Sequence, residues 1–213
     1  MELAEEMQRY VVTPGVGQVF FRPEQLALIS QAAGPEGKVE LNAFMQLIVH
    51  TAQPDLAAQQ ERLREAGLGV YPAGPVVKNL HTCTFCMGEK IEGLPDARRL
   101  DAVVAGTPVP FPVRVGFSGC ASNCGEAIVR DIGVVRMDAD RYDIYVGGKP
   151  GSLSPVLGQK VAEGVSSEAL VEVVQEILAL YRETAKGKER FWKNVSRVGV
   201  EAYRARVAAY TAG

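Results

Sequence analysis

The stretch "PVRVGFSGCASNCGEAIVRDIGVV", residues 112–135, carries two of the four cysteines of this 213-residue chain. Its opening, "PVRVGFSG", reads as the end of a strand, and "NCGEAIVRDIG" as the start of a short helix. A helical turn over 120–124 would set Cys120 and Cys124 on one face at i, i+4 and point backbone N–H groups at an anion. Gly119 and Gly125 flank the pair and let backbone approach closely. The other two cysteines, Cys83 and Cys86, lie in "HTCTFCMGEK", residues 81–90.

The spacing is therefore C-x2-C, a gap of 33 residues, and C-x3-C. Both pairs border stretches rich in Pro and Gly, from "GVYPAGPVVKNL" to "TPVPFPVRVGF", which places them in loops or at element ends. Three chemistries compete. Zinc takes four thiolates in a tetrahedron. A [4Fe–4S] cluster also takes four thiolates. Unliganded cysteines occur singly in cores, but two tight pairs would then be a coincidence. Zinc and cluster both stay open on spacing. The cluster is favoured because the pairs sit mid-chain in a protein long enough to fold without a metal staple.

Working outward, "VVRMDADRYDIYVGG" reads as a hairpin around Asp138-Ala139-Asp140. In "SSEALVEVVQEILALYRETAKG", Leu170, Val173, Val174, Ile177, Leu178 and Tyr181 form an apolar stripe. Ser167 is the expected cap and Lys186-Gly187 the expected end. "KERFWKNVSRVGVEAYRARVAAY" gives one or two further helices. Upstream, "RYVVTPGVGQVFF" is a strand or bent pair. "RPEQLALISQAAG" is a helix that starts at Pro23, buries Leu26, Ile29 and Ala33, and stops at Gly34. "KVELNAFMQLIVHT" reads as one strand, and "QPDLAAQQERLREAG" as a helix from Pro54 to Gly67. The first seventy residues thus read β-α-β-α, with helices on one side of a small sheet. The expectation is an α+β protein in two halves, with a boundary near residues 72–80.

Apolar residues make up 47 % of the chain, enough for a sizeable core, and charged residues 23 %. A net charge of −2 offers no electrostatic case for nucleic acid or an anionic membrane. No apolar run reaches bilayer length. The acidic, polar "MELAEEMQRY" is no secretory signal. A cytoplasmic location is expected, where four cysteines serve metal or redox chemistry more often than disulfides.

Taken together, these segments resemble the sulfite and nitrite reductases that carry siroheme beside a [4Fe–4S] cluster. Residues 112–135 look like the family's cluster segment, "YDIYVGGKPG" like its Gly-Gly hairpin, and "ILALYRETAKGKERFWKNVSRVG" like its closing helix. The first seventy residues look like its ferredoxin-like half-domain. The likeness runs from about Val11 to about Ala202. It implies a ferredoxin-like half-domain over 1–75 and a cluster-binding α/β half over 76–213. It further implies a [4Fe–4S] cluster on Cys83, Cys86, Cys120 and Cys124, with Cys124 also bridging to the siroheme iron. Asn123 and Arg114 would contact the siroheme, and Arg114 and Lys149 the substrate, a small inorganic anion such as sulfite or nitrite. An electron-donor protein is the implied partner. By analogy, a half-length member has reason to pair with a copy of itself.

The chain departs from the family at several places. The first pair is C-x2-C where the family usually has C-x5-C. Phe44 stands where an arginine meets siroheme carboxylates, and Phe111 and Pro112 stand among positions that carry cations. Lys78, Lys90, Arg98, Arg99 and Lys149 are candidate replacements. These departures favour the alternative, a cluster-only electron-transfer protein. The remaining residues have plainer readings. His81 and His50 read as ordinary hydrogen-bonded histidines, Arg98-Arg99 as a solvated face, and Gly147-Gly148 as a hairpin exit. Trp192 and Phe191 read as core or interface. Phe85 reads as a shield of the cluster from water.

Overall fold

The structure is a computed structural model that describes residues 7–42, 46–88, 91–151 and 153–211. The chain divides into two units, Met1–Gly74 and Pro75–Gly213.

In the first unit, β1 (Gln8–Thr13), β2 (Lys38–Leu41), β3 (Leu47–Thr51) and β4 (Gly69–Pro72) form an antiparallel sheet in the order β2-β3-β1-β4. Helices α1 (Pro23–Ala33) and α2 (Leu56–Glu65) cover one face. This is the ferredoxin-like βαββαβ order. Alternation decides the buried face: Tyr10 and Val12 of β1 point with Val49 of β3 toward Ile29, Ala32 and Leu63 of the helices.

Two expectations are corrected here. The run 38–51 is a hairpin of two strands, closed where Asn42 and Gln46 bond each other through both backbone and side chains. Its early apolar residues are no burial signal, since β2 is a sheet edge and Val39 and Leu41 are exposed. Phe44 lies outside the described residues. In α1, Leu26 faces solvent and Gln25 is buried instead. The Gln25 side chain accepts the Arg22 N–H and donates to the Ala66 carbonyl at the end of α2.

The second unit holds β5 (His81–Thr82), β6 (Val115–Ser118), β7 (Ile132–Asp138), β8 (Arg141–Val146) and β9 (Gln159–Ser166), hydrogen-bonded in that order. β5, β6 and β7 run parallel; β7-β8-β9 is an antiparallel meander. The expected hairpin is β7-β8. Helices α3 (Leu94–Val104), α4 (Leu170–Thr184), α5 (Phe191–Val198) and α6 (Val200–Val207) complete the unit. All six residues of the predicted α4 stripe are buried. Its cap differs: Ser166 accepts the Ala169 N–H, while the Ser167 hydroxyl donates to Asp96. The helix also ends at Thr184, before Lys186-Gly187. Asn194, fully buried, joins the closing helices by accepting from the Tyr203 hydroxyl at 2.6 Å and donating to Thr184 and Glu189. Among the described residues no helix is long and apolar enough to cross a membrane.

Asp131 ties three strand ends together. Its carboxylate accepts the Arg114 N–H at 2.9 Å just before β6, and its carbonyl accepts the Gly147 N–H at 2.8 Å just after β8. Burial pushes the carboxyl up from 3.8 to about 6, against the pull of Arg114 and Arg130. The folded state therefore holds this proton more tightly than the unfolded chain does, and stability falls as pH rises through that window. The span from 3.8 to about 6 corresponds to about 3 kcal/mol. Denaturant titrations at stepped pH should show this slope in the parent and lose it in Asp131→Asn, which keeps the oxygen that accepts from Arg114. In the first unit the Tyr10 hydroxyl is buried with no hydrogen-bond partner among the described residues. Tyr10→Phe removes an unsatisfied group at constant shape, so chemical denaturation should show a gain of up to about 1 kcal/mol.

Candidate functional site

The parallel pairing of β5 with β6 builds the site. His81 lies opposite Gly116 and Thr82 opposite Phe117, so both strands end on the same edge of the sheet. Each chain then runs directly into a cysteine pair. Cys83 prolongs the ladder by donating its N–H to the Phe117 carbonyl at 3.3 Å. Carboxyl ends of parallel strands are where ligands sit in such sheets. Here Thr82, Cys83, Thr84, Phe85, Cys86, Gly119, Cys120 and Cys124 line one cavity of about 250 Å³. No disulfide joins the four cysteines; Cys86 and Cys124 are exposed, Cys83 and Cys120 half-buried.

The C-x2-C pair closes on itself through an unusual turn. Phe85, Cys86 and Met87 all have left-handed backbone, with φ of 50°, 51° and 56°. Each such non-glycine residue costs roughly 1–2 kcal/mol. The compensation is visible at Phe85. Its ring is 2 % exposed, stands 6.1 Å from the Phe117 ring and lies against Gly119. A Cβ at Gly119 would sit 2.8 Å from the Phe85 ring, so only glycine leaves that anchor in place. Met87, beyond the anchor, is 86 % exposed.

The C-x3-C pair is not helical, which corrects the i, i+4 expectation. Residues 120–126 form two successive tight turns, closed by Asn123 N–H to Cys120 carbonyl at 3.2 Å and Glu126 N–H to Asn123 carbonyl at 2.9 Å. Asn123 and Glu126 are left-handed, which no right-handed helix permits. Helical structure starts only with a short 3-10 turn at Ala127–Val129. Gly125 packs so closely under the strand that a Cβ there would overlap the Phe117 carbonyl and reach within 3.0 Å of the Cys83 nitrogen.

The remaining candidates spread out. Asn123 is in the cysteine loop, but its side-chain oxygen is used internally, accepting from Ser118 and from the Ile128 N–H. Arg114 pairs with Asp131, Nε to Oδ2 at 3.6 Å. Lys149 stands over the Trp192 ring at 4.7 Å, and Arg190 over Phe111 at 5.0 Å. None of these lines the cysteine cavity. Arg99 is held by Asp96 at 2.8 Å and by Ser167, a structural role, while Arg98 faces solvent. His50 pairs with Glu40 across the strands at 3.2 Å. Lys90 lies outside the described residues. Burial lowers the pKa of Lys78, and burial followed by the Arg130 charge lowers that of His81.

Two participants escaped the sequence reading. Arg130 comes close enough to His81 to depress it, while bonding Glu126 at 2.5 Å. Its Nε is buried without a partner among the described residues. Nothing in its spacing announces this. Ser118, 1 % exposed, bonds both Asn123 and the Gly125 N–H. The signal for it was the Ser-Gly that precedes Cys120.

Among the described residues no three His, Cys, Asp or Glu side chains draw together tightly enough for a single metal ion. Four cysteine side chains around a single cavity supply the donor set, four thiolates, that a [4Fe–4S] cluster takes.

Comparison with known proteins bears on the family and the fold. The family model described as "Nitrite and sulphite reductase 4Fe-4S domain" matches residues 76–212. A protein of Priestia megaterium named cobalt-factor III methyltransferase is 32 % identical over 196 residues, covering 91 % of this chain and 36 % of that protein. The assimilatory-type sulfite reductase of Nitratidesulfovibrio vulgaris is 29 % identical over 131 residues, 59 % of each chain. The chain thus spans 36 % and 59 % of these two relatives. Among solved structures, the NirA protein of Mycobacterium tuberculosis superposes with a TM-score of 0.66 at 15 % identity, covering 96 % of this chain and 40 % of that one. Dissimilatory sulfite reductase I gives 0.65 at 12 % identity, covering 96 % and 69 %. These two likenesses bear on the fold alone. With the family model spanning the whole cysteine-bearing unit, the chain belongs to the nitrite and sulphite reductase 4Fe-4S domain family.

Proposed function

We propose that this chain is a redox protein whose residues 76–213 hold a [4Fe–4S] cluster on Cys83, Cys86, Cys120 and Cys124, beside a ferredoxin-like half-domain over 1–75. One observation carries the reading: four thiols from two distant segments line a single cavity large enough for a cubane. The group supplies one-electron chemistry when bound. The chain's own part is to hold four thiolates at one sheet edge, to shield the inner side with Phe85, and to leave Cys86 and Cys124 open at the outer side.

In its enzymatic form the protein would reduce a small oxyanion such as sulfite or nitrite, with Cys124 helping to hold siroheme, which would supply the site of reduction. Support for this comes from the family and from the exposure of Cys124, the thiol of its pair free to meet a second large group. Arg114 and Lys149 would steady the anionic substrate and the siroheme carboxylates, and the Asn123 amide would donate to the latter. The electron donor would be a separate protein and the location cytoplasmic.

A second reading is a cluster module without siroheme that serves another enzyme. The likeness to the cobalt-factor III methyltransferase favours it. There, 91 % of this chain matches only 36 % of a protein named for methyl transfer.

Anaerobically purified protein separates the readings. A brown protein with broad absorbance and about four irons per chain is the expected minimum. Sharp Soret and red bands identify siroheme, and broad absorbance alone identifies the module. Cys124→Ser should lose most of its iron together with any sharp bands. Iron content and spectrum unchanged by that substitution would overturn the ligand assignment.

A further inference from the structure

The segment from Ser118 to Ile128 contains a closed set of hydrogen bonds around the second cysteine pair. The Ser118 hydroxyl has one proton and gives it to the Asn123 side-chain oxygen at 3.2 Å. It also accepts the Gly125 N–H at 3.1 Å. The same Asn123 oxygen accepts the Ile128 N–H at 3.4 Å. Ser118, two residues before Cys120, Gly125, just after Cys124, and Asn123 between the two cysteines are thereby clipped together at a buried hydroxyl. One peptide further, the Gly119 N–H donates to the Cys83 sulfur at 3.4 Å. Pinning Ser118 fixes where that N–H points.

We propose that Ser118 and Asn123 are positioning residues, a latch that holds the Cys120–Cys124 loop in ligand geometry and aims the Gly119 N–H at Cys83. The proposal rests on the cluster reading above. Two consequences follow from hydrogen-bond chemistry. A loop held shut before metal arrives keeps two thiols in place and raises cluster affinity. An N–H aimed at a ligand sulfur stabilises the more negative, reduced cluster and raises its potential.

Asn123 raises a competing explanation, because its backbone is left-handed with φ of 55°. Asparagine tolerates that conformation better than most residues, so its place could be owed to backbone alone. Asn123→Gly separates the two, since glycine adopts the same φ without strain and deletes the oxygen. Asn123→Asp keeps an oxygen acceptor and serves as the rescue.

The test uses the full chain, reconstituted anaerobically with iron and sulfide. It reads iron retention against a chelator, the midpoint potential by EPR-monitored titration, and the melting temperature of the metal-free protein. Ser118→Ala and Asn123→Gly should fold, lose iron about 10- to 100-fold faster than the parent, and titrate at lower potential. Asn123→Asp should retain iron like the parent. Parent-like retention and potential in both Ser118→Ala and Asn123→Gly would overturn the latch while leaving the cluster reading intact. A parent protein that takes up no iron would overturn both. If Ser118→Ala fails to fold, Asn123→Gly alone decides, because Asn123 is half-buried in a turn and is not part of the apolar core.

Discussion

Two residues of parallel pairing, His81 with Gly116 and Thr82 with Phe117, are the constraint on which the site depends. Parallel strands end on a common edge, so whatever follows each strand is delivered to the same place. Cysteine pairs 33 residues apart in sequence become neighbours for that reason alone. An antiparallel pairing of the same two segments would send them to opposite edges. The ladder is short, and its support comes from beside it. β7 continues the parallel run at β6, and Asp131 fastens the start of β6 through its carboxylate and the exit of β8 through its backbone carbonyl. Aromatic contacts from Phe85 through Phe117 to Tyr142 join the cavity wall to the core of the unit.

The two halves of the thiol ring are held by different physics. The first pair depends on packing: a left-handed turn is tolerated because Phe85 is buried against Phe117 and Gly119. The second pair depends on polar bonds, with Ser118 and Asn123 inside the loop. Between Cys83 and Met87 the chain turns through three left-handed residues, Phe85, Cys86 and Met87.

Much of this was legible before any coordinates. The α4 stripe was readable because six apolar residues at helical spacing allow one buried face. The β7-β8 hairpin was readable from two β-rich runs around a polar turn. The four cysteines were readable as a set because two tight pairs are unlikely by chance. Other features were illegible for identifiable reasons. The pairing of β2 with β3 closes at Asn42 and Gln46, which bond through side chains and backbone, and no glycine or proline in the sequence marks the break between the strands. The loop at 120–126 looked helical because its cysteines are four apart. Its left-handed Asn123 and Glu126 lie in turns closed by bonds within residues 118–130, which cysteine spacing does not announce. Leu26 looked buried by periodicity, yet the partner that Gln25 finds at the Ala66 carbonyl outweighs it. Arg114 and Lys149 follow from the family likeness, which carries no information on the contacts with Asp131 and Trp192 that they make here.

Unequal exposure of the thiols has an electronic consequence. Cys86 and Cys124 meet solvent, whereas Cys83 and Cys120 are half-covered and Cys83 receives a backbone N–H. A cluster held by these four sulfurs would meet unlike surroundings at its corners, solvent at Cys86 and Cys124 and an amide dipole at Cys83, and the polypeptide would thereby bias where an added electron resides.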